Sequence, residues 1–272
     1  MDRSSECALA STDRQSGAAR TSGAWRAALA GQVRAWRVEL LLGLALVIAL
    51  SLPLALFAGL TVGFVATVML LFLALSVLVV FTAPDEFRTA GPGPGNRVTF
   101  LRAAMVVPVA AMAFHPSLQQ TAAVYALVGV AVLALILDGA DGALARRFGR
   151  VTAFGARFDM ELDALLILVL SVLVWQTGKT GSWVLLIGLM RYGFVAAGWY
   201  WRWLRGTLPP SRRRQSLCVV QSVALLIALA PPAPSVIAVT ASLGALVLLI
   251  YSFVVDIRWL HRHRGPDPGD GA

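Results

Sequence analysis

Apolar runs of about twenty residues recur along this chain, and that pattern constrains its fold more than anything else. A helix crossing a bilayer needs ~20 predominantly apolar residues, and several stretches here reach that length. Hydrophobic residues make up 58% of the 272 positions and charged residues 14%, against roughly a quarter charged in a soluble domain. The fold predicted is all-α, a polytopic membrane helix bundle of about eight transmembrane helices. Its spans are placed at Glu39–Gly59, Leu60–Phe81, Arg97–Phe114, Gln120–Leu144, Phe154–Trp175, Trp183–Leu204, Ser216–Ala230 and Ser235–Asp256. Pro53 is expected to kink the first, and the seventh is expected to begin before Ser216, in the basic segment.

Residues 1–38 form a polar tail expected to be disordered or loosely helical at the membrane surface. Residues 39–82 carry two extra helices joined almost without a loop, and 83–95 form a linker containing Gly91-Pro92-Gly93-Pro94-Gly95, a turn-forming stretch. Residues 257–272 form a second tail. The first tail lacks the apolar centre of a cleaved signal peptide, so the first hydrophobic helix is expected to act as its own insertion signal.

The net charge of +9 comes almost wholly from arginine, since Lys179 is the only lysine. The arginines cluster between the apolar runs, where basic residues set topology and meet anionic headgroups. With eight spans, 21 of the chain's 22 arginines fall on one side, outside or flanking the spans, Lys179 falls on the other, and Arg191 lies inside a helix. Both termini are therefore expected in the cytoplasm. No aromatic-interleaved basic motif is present, which argues against a nucleic-acid partner. Cys7 and Cys218 lie in the tail and in an apolar run, a pairing that supports neither a disulfide framework nor a zinc site.

Carboxylates near hydrocarbon are expensive and mark function. Five acids fall between Asp138 and Asp163, at the end of one apolar helix and the start of the next. Asp138 and Asp141 are three apart, and Asp159 and Asp163 four apart, so each pair shares a helix face. An antiparallel return through Arg147–Arg157 would bring the pairs together at the cytoplasmic membrane edge. Any one of them alone could be a topology charge or a helix cap. Four close carboxylates, however, repel unless cations compensate them. Two divalent ions would match four aspartates, and hard oxygen ligands beside a phosphate favour Mg²⁺ or Mn²⁺ over zinc. Paired metals ~4 Å apart clamp attacking and leaving oxygens in phosphoryl transfer. Gly139, Gly142 and Gly155 interrupt these helices, which suggests close approach of a ligand or backbone. Arg146 lies one turn beyond Gly142, within reach of a diphosphate.

Asp138-Gly139-Ala140-Asp141-Gly142-Ala143-Leu144-Ala145-Arg146, eight residues, then Gly155, Asp159 and Asp163 resembles the signature of the CDP-alcohol phosphatidyltransferase family. All eight fixed positions of that signature match. The resemblance implies a six-helix catalytic core over residues 96–256. It implies Asp138, Asp141 and Asp159 as metal ligands and Asp163 as the general base and a further metal ligand. Gly142, Ala145 and Gly155 would give the cytidine nucleotide room, and Arg146 would meet its diphosphate. Asn96, Thr99 and Arg102 match the family's P-N-x-x-T-x-x-R start, though Gly95 separates Pro94 from Asn96. They are expected either to contact the nucleotide or, for Asn96 and Thr99, to serve as an N-cap and a first-turn residue. The implied reaction moves a phosphatidyl group from CDP-diacylglycerol to an alcohol and releases CMP. A homodimer is the assembly the resemblance suggests.

Arg191 sits mid-span, where an unpaired guanidinium is hard to tolerate. It is expected either to bind an acceptor phosphate or to pair with an aspartate. Arg212 and Arg214, in the run Arg212-Arg213-Arg214, are candidate acceptor-phosphate ligands or plain loop cations. Trp199, Tyr200, Trp201 and Trp203 suggest an interfacial belt, while Gln221 suits the cavity and helix packing equally. The acceptor itself is not legible, although a basic cavity tilts towards a phosphorylated one. A CDP-linked headgroup donor, a divalent-cation transporter and an inactive scaffold are the alternative readings.

Overall fold

The computed structural model describes residues 27, 30–53, 62–87, 93–116, 121–148, 152–206, 208–209 and 211–263, with the side chains of 94, 121–122, 139–148, 202 and 212 outside the description. Eight α-helices lie among the described residues: α1 (Ala30–Pro53), α2 (Val62–Thr82), α3 (Pro94–Met112), α4 (Thr121–Phe148), α5 (Ala153–Gln176), α6 (Leu185–Tyr200), α7 (Arg212–Leu229) and α8 (Ser235–Arg262). Short 3₁₀ turns, Ser182–Val184 and Arg202–Arg205, flank α6. The all-α expectation holds among the described residues.

Four segments are long and apolar enough to cross a membrane: Ala30–Pro53, Val62–Thr82, Ser182–Tyr200 and Ser235–Arg262, with a shorter apolar stretch at Ala123–Asp138. Helices α3, α5 and α7 are less apolar for a reason. They carry Arg102, the α5 acids and the α7 arginines, and so give up hydropathy to polar chemistry. Large apolar side chains stand exposed on the outer faces, among them Leu70, Phe81, Val247 and Tyr251. So many exposed apolar groups suit a surface that meets lipid rather than water.

Helix ends differ from the sequence reading in instructive places. The sequence reading leaves the tail disordered or loosely helical to Val38; the structure is helical from Ala30, with Gln32, Trp36 and Glu39 buried on one face. Pro53 ends the described part of α1, so the expected kink falls on residues outside the description. Helix α3 begins at Pro94, with Gly93 at the N-cap. Proline suits the first helical position, where its missing N–H is not needed. Asn96 is therefore inside the helix and is not its cap, which corrects one of its two expected roles. Helix α7 starts at Arg212, as the shortness of its apolar run predicted, and α8 continues to Arg262, beyond the expected end at Asp256.

The helices pack as a bundle: α3 lies against α2, α4 and α5, α5 against α6 and α7, and α7 most extensively against α8. Phe64, Val68, Phe100, Leu127, Leu170, Leu173 and Leu225 are among the buried side chains that fill it. Gly188 lets α6 lie close against α5, since a Cβ there would meet the Leu168 Cα at 2.5 Å. At one end, Gln176 donates to the Ala113 carbonyl at 2.8 Å and Lys179 to the Ala230 carbonyl at 2.7 Å. Partial burial lowers the Lys179 ammonium from its ordinary pKa. These bonds tie α3, α5 and α7 together at the ends remote from the carboxylates.

Candidate active site

Asp138 closes the apolar part of α4, and Asp159 and Asp163 lie in the first three turns of α5. Helix α5 can start sharply because Thr152 caps it, its hydroxyl accepting from the Gly155 N–H at 3.0 Å. That start directs residues 159 and 163 along one face towards the end of α4. The structure thus brings together carboxylates more than twenty residues apart in sequence. One oxygen from each of Asp138, Asp159 and Asp163 lies within 4.8 Å of the others. Asp141, Gly142, Ala145 and Arg146, one turn or more beyond Asp138 on α4, have side chains outside the description.

Arg102 of α3 sits among the three acids, with its side chain only 2% exposed. Its guanidinium pairs with Asp138, with Asp159 at 3.0 Å and with Asp163 at 2.7 Å. Among the described side chains one cation faces three anions, which leaves net negative charge there, partly screened from water. The Asp159 Oδ1, though in ion-pair range, makes no hydrogen bond. Three convergent carboxylate oxygens with acceptor capacity to spare fit a hard divalent cation, which takes oxygen ligands at roughly 2.0–2.6 Å. The donor chemistry therefore accommodates a Mg²⁺- or Mn²⁺-type ion, without fixing its identity or number.

The remaining expected residues divide clearly. Asn96 is buried, and its Oδ1 accepts from the Thr152 hydroxyl at 3.3 Å while its Nδ2 has no partner. It passes so close to Gly155 that a Cβ there would overlap the Asn96 side-chain oxygen. Gly155 thus makes room for α3 against α5, in addition to any space it leaves a ligand. The Thr99 hydroxyl donates back to the Gly95 carbonyl at 3.1 Å. Arg102 is placed with the carboxylates rather than apart from them.

Arg191 pairs with Glu161, not with one of the aspartates. Helical geometry alone sets Glu161 apart from the aspartates. A residue two positions from both Asp159 and Asp163 falls on the opposite face of the helix. A second residue escaped the sequence reading altogether. Asp256 of α8, largely buried, pairs with Arg213, and with Arg214 at 3.4 Å. Arg214 also donates to the Pro209 carbonyl. The Arg212 side chain lies outside the description. Helix α7, which carries Arg214 and Cys218, packs against both α4 and α5, the helices that bear the acidic cluster.

The family model described as CDP-alcohol phosphatidyltransferase matches residues 95–255, more than half of the chain. The match opens at the start of α3 and closes one residue before Asp256, so the acids and Arg102 all fall within it. No curated protein and no solved structure matches the chain.

Proposed function

Starting from the CDP-alcohol phosphatidyltransferase family, to which this chain belongs, we propose that it transfers a phosphatidyl group from CDP-diacylglycerol to an alcohol and releases CMP. The observation that carries this reading is the meeting of Asp138, Asp159 and Asp163 around Arg102. Asp138, Asp159 and, from its place one turn on, Asp141 are the proposed metal ligands. Two divalent ions, Mg²⁺ or Mn²⁺, would supply charge stabilisation for the diphosphate.

Asp163 serves as general base. The acceptor oxygen bonds to the lipid-bearing phosphorus, the bond from that phosphorus to the CMP oxygen breaks, and the acceptor proton passes to the Asp163 carboxylate. Arg102 holds the three carboxylates in register, so that the base and the ligand oxygens keep their spacing. Orientation of this kind supplies much of the acceleration in phosphoryl transfer. Asn96, with an unpartnered buried amide nitrogen, and Thr99 are proposed to face the nucleotide with Gly142, Ala145, Arg146 and Gly155.

Arg214 and its neighbour Arg212 are the proposed ligands of a phosphorylated acceptor, a role supported by the two arginines that share Asp256 and by the packing of α7 on α4 and α5, which bear the acids. The pairing of Arg191 with Glu161 favours a supporting role for that arginine over direct acceptor contact. The arginine asymmetry of the sequence supports a site and both termini on the cytoplasmic side, with the eight helices spanning the membrane.

The test is purified protein given CDP-diacylglycerol, Mg²⁺ or Mn²⁺ and a panel of alcohols, followed by lipid mass spectrometry. CMP should appear in step with one new phosphatidyl lipid. If CMP instead comes only from CDP-linked small alcohols with diacylglycerol as acceptor, the donor assignment falls. Metal flux into proteoliposomes without CDP-lipid consumption would replace catalysis by transport.

A further inference from the structure

We propose that the face of α1 formed by Gln32, Trp36, Glu39 and Gly43, outside the family-matched region, positions the nucleotide-facing start of α3. These residues are spaced by four, three and four, which puts them on a single helical stripe. The first three are buried, and each engages a segment leading into the site. Gln32 donates to the Ala83 and Pro84 carbonyls at 3.2 and 3.1 Å, fixing the chain as it leaves α2. Trp36 is fully buried between Phe87, at 6.2 Å between ring centroids, and Phe100, at 5.8 Å. Glu39, 3% exposed, pairs with Arg97 at 2.8 Å. A Cβ on Gly43 would meet the Phe100 ring at 2.8 Å.

These contacts select one face of α3. Arg97 and Phe100, three apart, are held by α1. The adjacent positions Asn96, Thr99 and Arg102 face Thr152, their own helix and the aspartates. A rotation or slide of α3 that freed the first pair would displace the second set. The same aromatic row continues into α5: Phe87 meets Phe154 at 5.7 Å, and Phe154 stacks on Phe158 at 6.0 Å. Phe158 immediately precedes Asp159.

A buried carboxylate on an apolar helix is costly to keep without a partner. Here one Glu39 oxygen is spent on Arg97 while the other has no hydrogen bond. That cost is understandable if the pair sets the register of α3. Gln32, Trp36 and Glu39 are thus positioning residues, and their assignment rests on the proposed nucleotide contacts of Asn96 and Thr99.

The test uses the full-length protein with Glu39→Gln, which keeps shape and removes charge, and Arg97→Gln, which breaks the same pair from its exposed side. Displacements near 1 Å can cost on the order of a hundredfold in turnover. Partial loosening should raise the donor KM about tenfold while the acceptor KM stays within about twofold, and Arg97→Lys should stay near wild type. A merely structural role would lower the amount of active enzyme at unchanged KM, and that result overturns the proposal. Hydrogen exchange of the peptide spanning 93–102 provides a second readout, independent of chemistry. It should rise in both Gln variants while α8 peptides stay unchanged. If wild-type protein releases no CMP, the proposed reaction fails, yet exchange still judges the brace. Unchanged exchange at 93–102 in both variants defeats it.

Discussion

Among the described side chains, two charged clusters are built with opposite imbalance. Around Arg102, three carboxylates share one guanidinium. Around Asp256, two guanidiniums share one carboxylate. A structural ion pair has every reason to be balanced, because uncompensated charge away from water costs several kcal/mol per ion. Glu161 with Arg191 is the balanced case, one against one. The two unbalanced clusters therefore read as sites awaiting a partner of the missing sign: cations at the α4–α5 acids, an anion at the α7 arginines. The proposed transfer to a phosphorylated acceptor would use both.

Asp163→Asn should lower turnover by roughly 10²–10⁴-fold, the usual contribution of a positioned base, while nucleotide binding persists in a direct titration. Turnover near wild type in the folded variant would remove Asp163 from that role. Arg102→Met should destabilise the metal-free protein by about 3–5 kcal/mol, since it strands three carboxylates without their cation. Added Mn²⁺ should recover part of that loss in detergent-solubilised thermal unfolding, whereas a loss that ignores metal would mean the acids do not act as one cluster.

At the arginine-rich end, Arg214→Gln removes a charge-assisted contact worth about 1.5–3 kcal/mol. It should raise the KM of a phosphorylated acceptor about ten- to a hundredfold and leave the donor KM alone. Equal rises in both would break the division of labour. The balanced pair should matter least. Replacing Glu161 and Arg191 together with Gln should change stability by about 1 kcal/mol or less, with each single variant worse than the double. A large rise in acceptor KM for the double variant would return Arg191 to the acceptor site.

The acidic centre was legible because its residues are local in sequence on two successive helices, where spacing alone fixes the shared faces. Asp138 with Asp159 and Asp163 could be paired before any coordinates, and the meeting of the three is observed. The tight start of α5 at Thr152 was not anticipated, although threonine three residues before Gly155 is an ordinary cap. Arg102 was picked out, but its nearness to the carboxylates depends on how α3 crosses α4 and α5, which no periodicity encodes. Asp256 is a lone acid in a long apolar helix, and its meaning appears only when the start of α7 folds beside it. The α1 stripe was missed for a different reason. Gln32, Trp36 and Glu39 lie where an arginine-rich tail runs into an apolar span, and composition averaged over that junction hides a four-three spacing.

The central claim is that the acid-rich cluster holds divalent cations. Mn²⁺ binding to the purified protein, followed by loss of the free-ion paramagnetic resonance signal, tests it most directly. Wild-type protein should bind Mn²⁺, Asp159→Asn should bind it weakly or not at all, and Glu161→Gln, two residues away on the opposite face, should retain it. Equal Mn²⁺ binding by wild type and Asp159→Asn would contradict it.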